Sequence, residues 1–98
     1  MRAQLTLRST AEHEIEKILD WYLENAPEHA HGFIENLGEA VERVRDSPRL
    51  FRTVYGEVRR AALGRFPYFL WFIYFDEAEV VQVLAVTHQS RDPDQSRP

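Results

Sequence analysis

Tyr68-Phe69-Leu70-Trp71-Phe72-Ile73-Tyr74-Phe75 is an apolar and aromatic run with no charged or amide side chain at either parity. A strand with one wet face alternates polar and apolar residues, so this run predicts a central strand covered on both sides. Working outward, Val58 to Leu63 reads as a strand and Gly64 to Pro67 as the turn that joins it to the aromatic run. Asp76-Glu77-Ala78-Glu79 is polar and suits a hairpin loop, and Val80 to His88 is a third strand. The second half of the chain is therefore expected to be a meander of antiparallel strands.

The first half has a different period. Gln4-Leu5-Thr6-Leu7 alternates as one short strand. Ser9 with Glu12 three residues later has the form of a capping box, in which each side chain satisfies a free backbone N–H. Ile15, Ile18, Leu19 and Tyr22 then recur at helical spacing, with Trp21 and Leu23 off that stripe. Pro27 stops the helix and can open the next. In the second helix Ala30, Phe33, Ile34, Leu37, Val41 and Val44 share a face, and Asp46-Ser47-Pro48 ends it. So short a joint predicts an antiparallel helical hairpin, which can cover one sheet face. The other face needs a partner protein, the C-terminal segment or the aperiodic connection from Arg49 to Gly56. The polar tail from Arg91 to Pro98 is expected to be loose.

A chain of 98 residues fits one domain, taken as 1–98. There is no cysteine, which excludes disulfides and thiolate chemistry. No apolar run follows Met1-Arg2-Ala3-Gln4 and none is long enough for a membrane span, so a cytoplasmic protein without membrane contact is expected. Net charge is −4, which does not suggest a nucleic-acid binder. Its distribution is uneven: acids from Glu12 to Asp46 crowd the helices, whereas Arg49, Arg52, Arg59, Arg60 and Arg65 fall together. His29 and His31 are two apart and diverge on a helix, and no phosphate loop or nucleophile motif is present. No metal or other cofactor is implied.

Three pieces in order carry a resemblance: Arg59-Arg60, the turn Arg65-Phe66-Pro67-Tyr68 with its aromatic strand, and Val83-Leu84-Ala85-Val86 running to His88-Gln89-Ser90-Arg91-Asp92-Pro93. With Ala11-Glu12 opening the first helix and Phe33-Ile34 in the second, the chain resembles the ParE/RelE family of bacterial toxins from about Leu5 to Pro93. The resemblance implies an α+β, RelE/ParE-like fold: an N-terminal strand, then an antiparallel helical hairpin packed on a C-terminal antiparallel β-sheet (βααβββ). It also implies the toxin half of a type II toxin–antitoxin module of the plasmid-stabilisation kind. A cognate antitoxin, ParD-like or similar, would neutralise it in a hetero-oligomer. The ParE branch poisons DNA gyrase; the RelE branch cleaves messenger RNA in the ribosome.

The residues bear on that choice. Family ribonucleases activate a ribose 2′-hydroxyl, neutralise the phosphate and protonate the leaving oxygen with basic and aromatic residues, in some members a Glu and a terminal His-Tyr pair. Here Gln89 follows His88, and Lys17 is the only lysine. If the chain is a nuclease, Arg60, Arg65, His88 and Arg91 are its candidate residues. The expectation is instead a gyrase-binding toxin that is not an enzyme, with the ribosome-dependent nuclease as alternative and an inactive binding module as a further one. For antitoxin or target contact the candidates are Trp21, Leu23, Tyr55, Arg60, Phe69 and Trp71. Arg59 and Arg60 fall on opposite sheet faces, so at most one serves a given site.

Overall fold

The computed structural model of the chain describes residues 2–91. Beyond Arg91, the tail expected to be loose lies outside the described residues. The elements are β1 (Gln4–Leu7), α1 (Ser9–Asn25), α2 (Ala30–Asp46), β2 (Thr53–Tyr55), β3 (Val58–Leu63), β4 (Phe66–Phe75) and β5 (Val80–His88). The sheet order is β1-β5-β4-β3-β2. β1 runs parallel to β5, and the other neighbours are antiparallel. β4 is the middle strand, where an apolar run must be buried from both sides. The expected strand, helical hairpin and meander all form. β2 is an addition to them: three residues with an irregular register against β3 leave no period to read in the sequence.

The helices meet the sheet through one stripe each. Ala11 and Tyr22 of α1 and Ala30, Phe33, Ala40 and Val44 of α2 are buried, while Ile34, expected on the inner face, is 42% exposed. A single 3₁₀ turn, Pro27–His29, joins the helices. The capping box does not form. Arg8 donates its N–H to the Val83 carbonyl at 2.9 Å, so strand pairing continues up to the first turn. Arg8 is thus the N-cap, Ser9 is already helical, and no side chain caps the end.

On the helical face, Leu63, Leu70, Phe72, Val81 and Val83 pack with Tyr22, Phe33 and Val44. The opposite face gathers Val58, Trp71, Leu84 and Ala85 with half-buried Tyr55, Phe69 and Ile73, all from strands. Of the covers expected for that face, the connecting segment supplies Tyr55.

A bulge in β5 sets the facing of the strand's last residues. Trp71 lies opposite Ala85 and Phe72 opposite Val83, so Leu84 is an extra residue. Leu84 and Ala85 both join the second cluster, and the alternation after them is reversed. Val86 and His88 consequently pair with Leu70 and Tyr68 on the helical face.

β1 ends at Leu7 opposite Val83, and among the described residues the rest of the outer β5 edge has no neighbouring strand. There the buried Val86 donates its N–H to Glu14 Oε1 of α1 at 2.9 Å. Glu14→Ala strands that donor and is expected to cost about 1–3 kcal/mol. In thermal denaturation each kcal/mol lost lowers Tm by about 4–8 °C for a domain of this size. Glu14→Gln keeps an acceptor oxygen and should recover most of the loss; equal Tm values for the two variants would show that the bond contributes nothing.

Candidate functional site

Six of the nine candidate residues fall in two places. The first is a groove of about 530 Å³ between α1 and the start of β4, lined by Lys17, Ile18, Trp21, Tyr22, Pro67, Tyr68 and His88. Helical spacing brings Lys17, Ile18 and Trp21 to one side of α1, and the register of β4 on β5 sets His88 beside Tyr68. The Tyr68 and His88 rings meet edge to face at 5.3 Å. Trp21 is 55% exposed on the rim, its ring 5.2 Å from that of Tyr22. His88 Nδ1 accepts the N–H of Ser90 at 3.0 Å, so the neutral imidazole carries its proton on Nε2. In that arrangement the Nδ1 lone pair is engaged by the Ser90 N–H.

The Tyr68 phenol is pushed up to about 12, chiefly by burial and then by its hydrogen bond with Tyr22 and the Tyr22 charge. The folded state thus keeps this proton where an unfolded tyrosine, near 10, has lost it. The stability linked to Tyr68 is therefore fully present below that value and is lost as pH rises towards 12. In an ultraviolet titration of phenolate, a late step belonging to Tyr68 is expected. Tyr68→Phe should remove that late step, and a late step that persists in the variant would assign it elsewhere.

The second place is the strand-only face. Arg60 lies over the Phe69 ring at 4.1 Å and over the Trp71 ring at 5.7 Å, held by cation–π attraction. Trp71 is 1% exposed, donates Nε1–H to Thr87 Oγ1 at 2.8 Å, and is flanked by Tyr55 and Phe69 at 6.3 and 6.2 Å. A partner therefore cannot touch Trp71 in this conformation: the bulge aims Thr87 at its indole, and Arg60 stands over it. Arg59, on the other face as the parity requires, donates to the Phe51 carbonyl at 2.5 Å. A hollow of about 450 Å³ beside β2 is lined by Leu50, Phe51, Arg52, Thr53, Val54 and Arg60. Sequence reasoning places Arg52 in the basic cluster but does not reach Leu50 and Val54, because the segment holding them has no period and reads only as a connection.

A family model, the ParE toxin of type II toxin-antitoxin system, parDE, matches residues 5–93. The chain belongs to the ParE toxin family. Solved structures agree in fold. A chain of the chromosomal ParDE TA system from P. aeruginosa superimposes with a TM-score of 0.74 at 20% identity, over 89% of this chain and 96% of that one. The isolated E. coli RelE toxin gives 0.65 at 22%, over 96% and 92%. The RelBE2 toxin-antitoxin complex from Mycobacterium tuberculosis gives 0.61 at 20%, over 90% and 99%. No curated protein matches by sequence.

Within this ParE-family chain the four residues of the nuclease alternative do not share one face. Arg60 belongs to the strand-only face and His88 to the helical face. Arg65 sits in the β3–β4 turn, its backbone N–H on Asn36 Oδ1 at 3.2 Å, beside a hollow that also holds Glu28, His29 and His31. Arg91 is exposed beyond β5, with its backbone N–H on the His88 carbonyl at 3.1 Å. Among the contact candidates, Leu23 is 54% exposed on α1 but lies outside the Trp21 groove. Tyr55 and Phe69 are half-buried beside Trp71. Among the described residues no three His, Asp or Glu side chains gather as a metal site, and no helix is long and apolar enough to cross a membrane.

Proposed function

We propose that this ParE-family chain is a toxin that acts by binding DNA gyrase in the cytoplasm, carries out no bond cleavage itself, and is neutralised by a cognate antitoxin in a hetero-oligomer. The observation that carries this reading is the separation of Arg60 from His88 by the sheet. RNA cleavage asks an acid, a base and a cation to converge on one phosphate. A histidine on the helical face with Nδ1 engaged, and an arginine stacked on the opposite face, supply no such convergence. Binding a protein target makes no such demand. Trp21 and Leu23 on α1, and Arg60 and Phe69 on the sheet, are the residues offered to the antitoxin or the target.

Supercoiling by purified gyrase is the test. Added chain should inhibit it, and transcripts translated in a cell-free system should stay intact. Unimpaired supercoiling with cleaved transcripts would replace this reading with the ribosome-dependent nuclease.

A further inference from the structure

Donors without acceptors gather in the groove between α1 and the start of β4. Its apolar lining comes from Ile18, Pro67 and three rings, those of Trp21, Tyr22 and Tyr68. The rest of the lining is Lys17 and His88. Lys17, the only lysine of the chain, enters no ion pair among the described residues, although Glu14 and Asp20 lie three residues to either side of it. Glu14 instead accepts the Val86 N–H at 2.9 Å, and neither acid lines the groove. His88 has Nδ1 engaged by Ser90, which leaves its Nε2–H to donate outward. Among the described residues neither that N–H nor the indole N–H of Trp21 has an acceptor.

An ammonium, two N–H donors and no lining carboxylate suit a ligand with one negative, acceptor-rich end. The rings suit a flat apolar body beside that end. The groove holds about 530 Å³, within the range of roughly 300–1,000 Å³ in which small molecules bind. Tyr68 stays a neutral phenol up to about 12, so it sets no second negative charge against the ligand. The neighbouring hollow shares Tyr22 and Pro67 but is lined by Glu28 and Glu35, so the charged end belongs on the side of Lys17 and His88. A single ammonium matches one carboxylate better than a multiply charged phosphate group. We propose that this groove binds a small aromatic monocarboxylate, its carboxylate on Lys17 and His88 and its ring against Trp21 and Tyr68. Such a site goes beyond the toxin reading and is independent of what the target is.

The test is isothermal calorimetry of the full chain with naphthylacetate as the probe. Binding should saturate at one ligand per chain, with a dissociation constant on the order of 0.1 mM for a ligand of that size. Naphthylmethylamine keeps the ring but carries an ammonium, and cyclohexylacetate keeps the carboxylate but has no aromatic ring. Each should bind at least about tenfold more weakly. Lys17→Gln and Trp21→Ala should each weaken naphthylacetate by about tenfold, and Lys17→Arg, which keeps the charge, should bind nearer to the parent. Both side chains are exposed, so neither change opens the core; if Trp21→Ala does not fold by circular dichroism, Lys17→Gln decides alone. A tetrapeptide ending in tryptophan distinguishes a free small molecule from the end of a protein chain, and it should bind more weakly than naphthylacetate. Tighter binding of that peptide, equal binding of either the amine or the non-aromatic acid, equal binding by parent and Lys17→Gln, or no saturable binding at all overturns the proposal.

Discussion

Phe33→Ala is expected to lower the free energy of unfolding by about 3–5 kcal/mol, a large part of the roughly 5–15 kcal/mol that a domain of this kind possesses. Phe33 is fully buried where α1, α2 and β4 meet. Its ring stacks on Tyr22 at 5.8 Å and meets Phe66 and Tyr68 edge to face at 5.9 and 5.7 Å. Truncation removes the transfer energy of the ring, opens a cavity between two helices and a strand, and deletes three aromatic contacts worth about 0.5–1.5 kcal/mol each beyond area burial. Those terms overlap, so they do not add to more than the range given. In urea the midpoint should fall with the slope unchanged. Phe33→Leu, which fills most of the space, should lose less than half as much. Equal losses for the two variants would mean that ring geometry, not volume, holds this junction.

The second large effect is expected at Gly64, and its cause is the backbone. Gly64 has φ +62°, in the left-handed region that costs a residue with a Cβ about 1–2 kcal/mol. A Cβ there would also lie 2.5 Å from Asn36 Oδ1. That amide cannot withdraw freely. Its Nδ2 donates to the Gly32 carbonyl at 3.0 Å, and its Oδ1 accepts the Arg65 N–H at 3.2 Å. Gly64→Ala must therefore bear the backbone strain and break at least one of these hydrogen bonds, for a total of about 2–3 kcal/mol. A double-mutant cycle separates the parts: in an Asn36→Ala background the added cost of Gly64→Ala should shrink to the backbone term. If it does not shrink, the contact with Asn36 carries none of the effect.

Much of the fold is legible because periodicity, proline and burial act together. The Tyr68 to Phe75 run requires a central strand, and its place in the sheet satisfies that requirement. Pro27 and Pro48 mark the helix ends because proline removes a donor and restricts the residue before it. The capping box misleads because its two residues have the right spacing, whereas cap formation depends on where the preceding chain is held. Here β5 holds Arg8. β2 escapes notice because its pairing is specified by contacts with β3 and not by a pattern of its own.

The candidate site is less legible than the fold. Residue types point to Arg60 and His88 as groups worth locating, but whether they share a face depends on the parity of β5, and one extra residue reverses it. Nothing local in Val83-Leu84-Ala85-Val86 marks the bulge, since every residue there is apolar and fits either side. Trp71 reads as a contact residue for the same reason: in a strand apolar on both faces, sequence does not say which rings are roofed.

That extra residue also has a genetic reading. Loss of one codon at Leu84 would close the bulge and leave Val86 opposite Leu70 and His88 opposite Tyr68, because paired residues point to the same side of a sheet. The histidine would stay on the helical face, and only the cluster around Trp71 would lose a side chain. A single in-frame deletion here would thus thin one face of the meander without moving a polar group, a step that comparison of aligned residue types alone would record as a gap and nothing more.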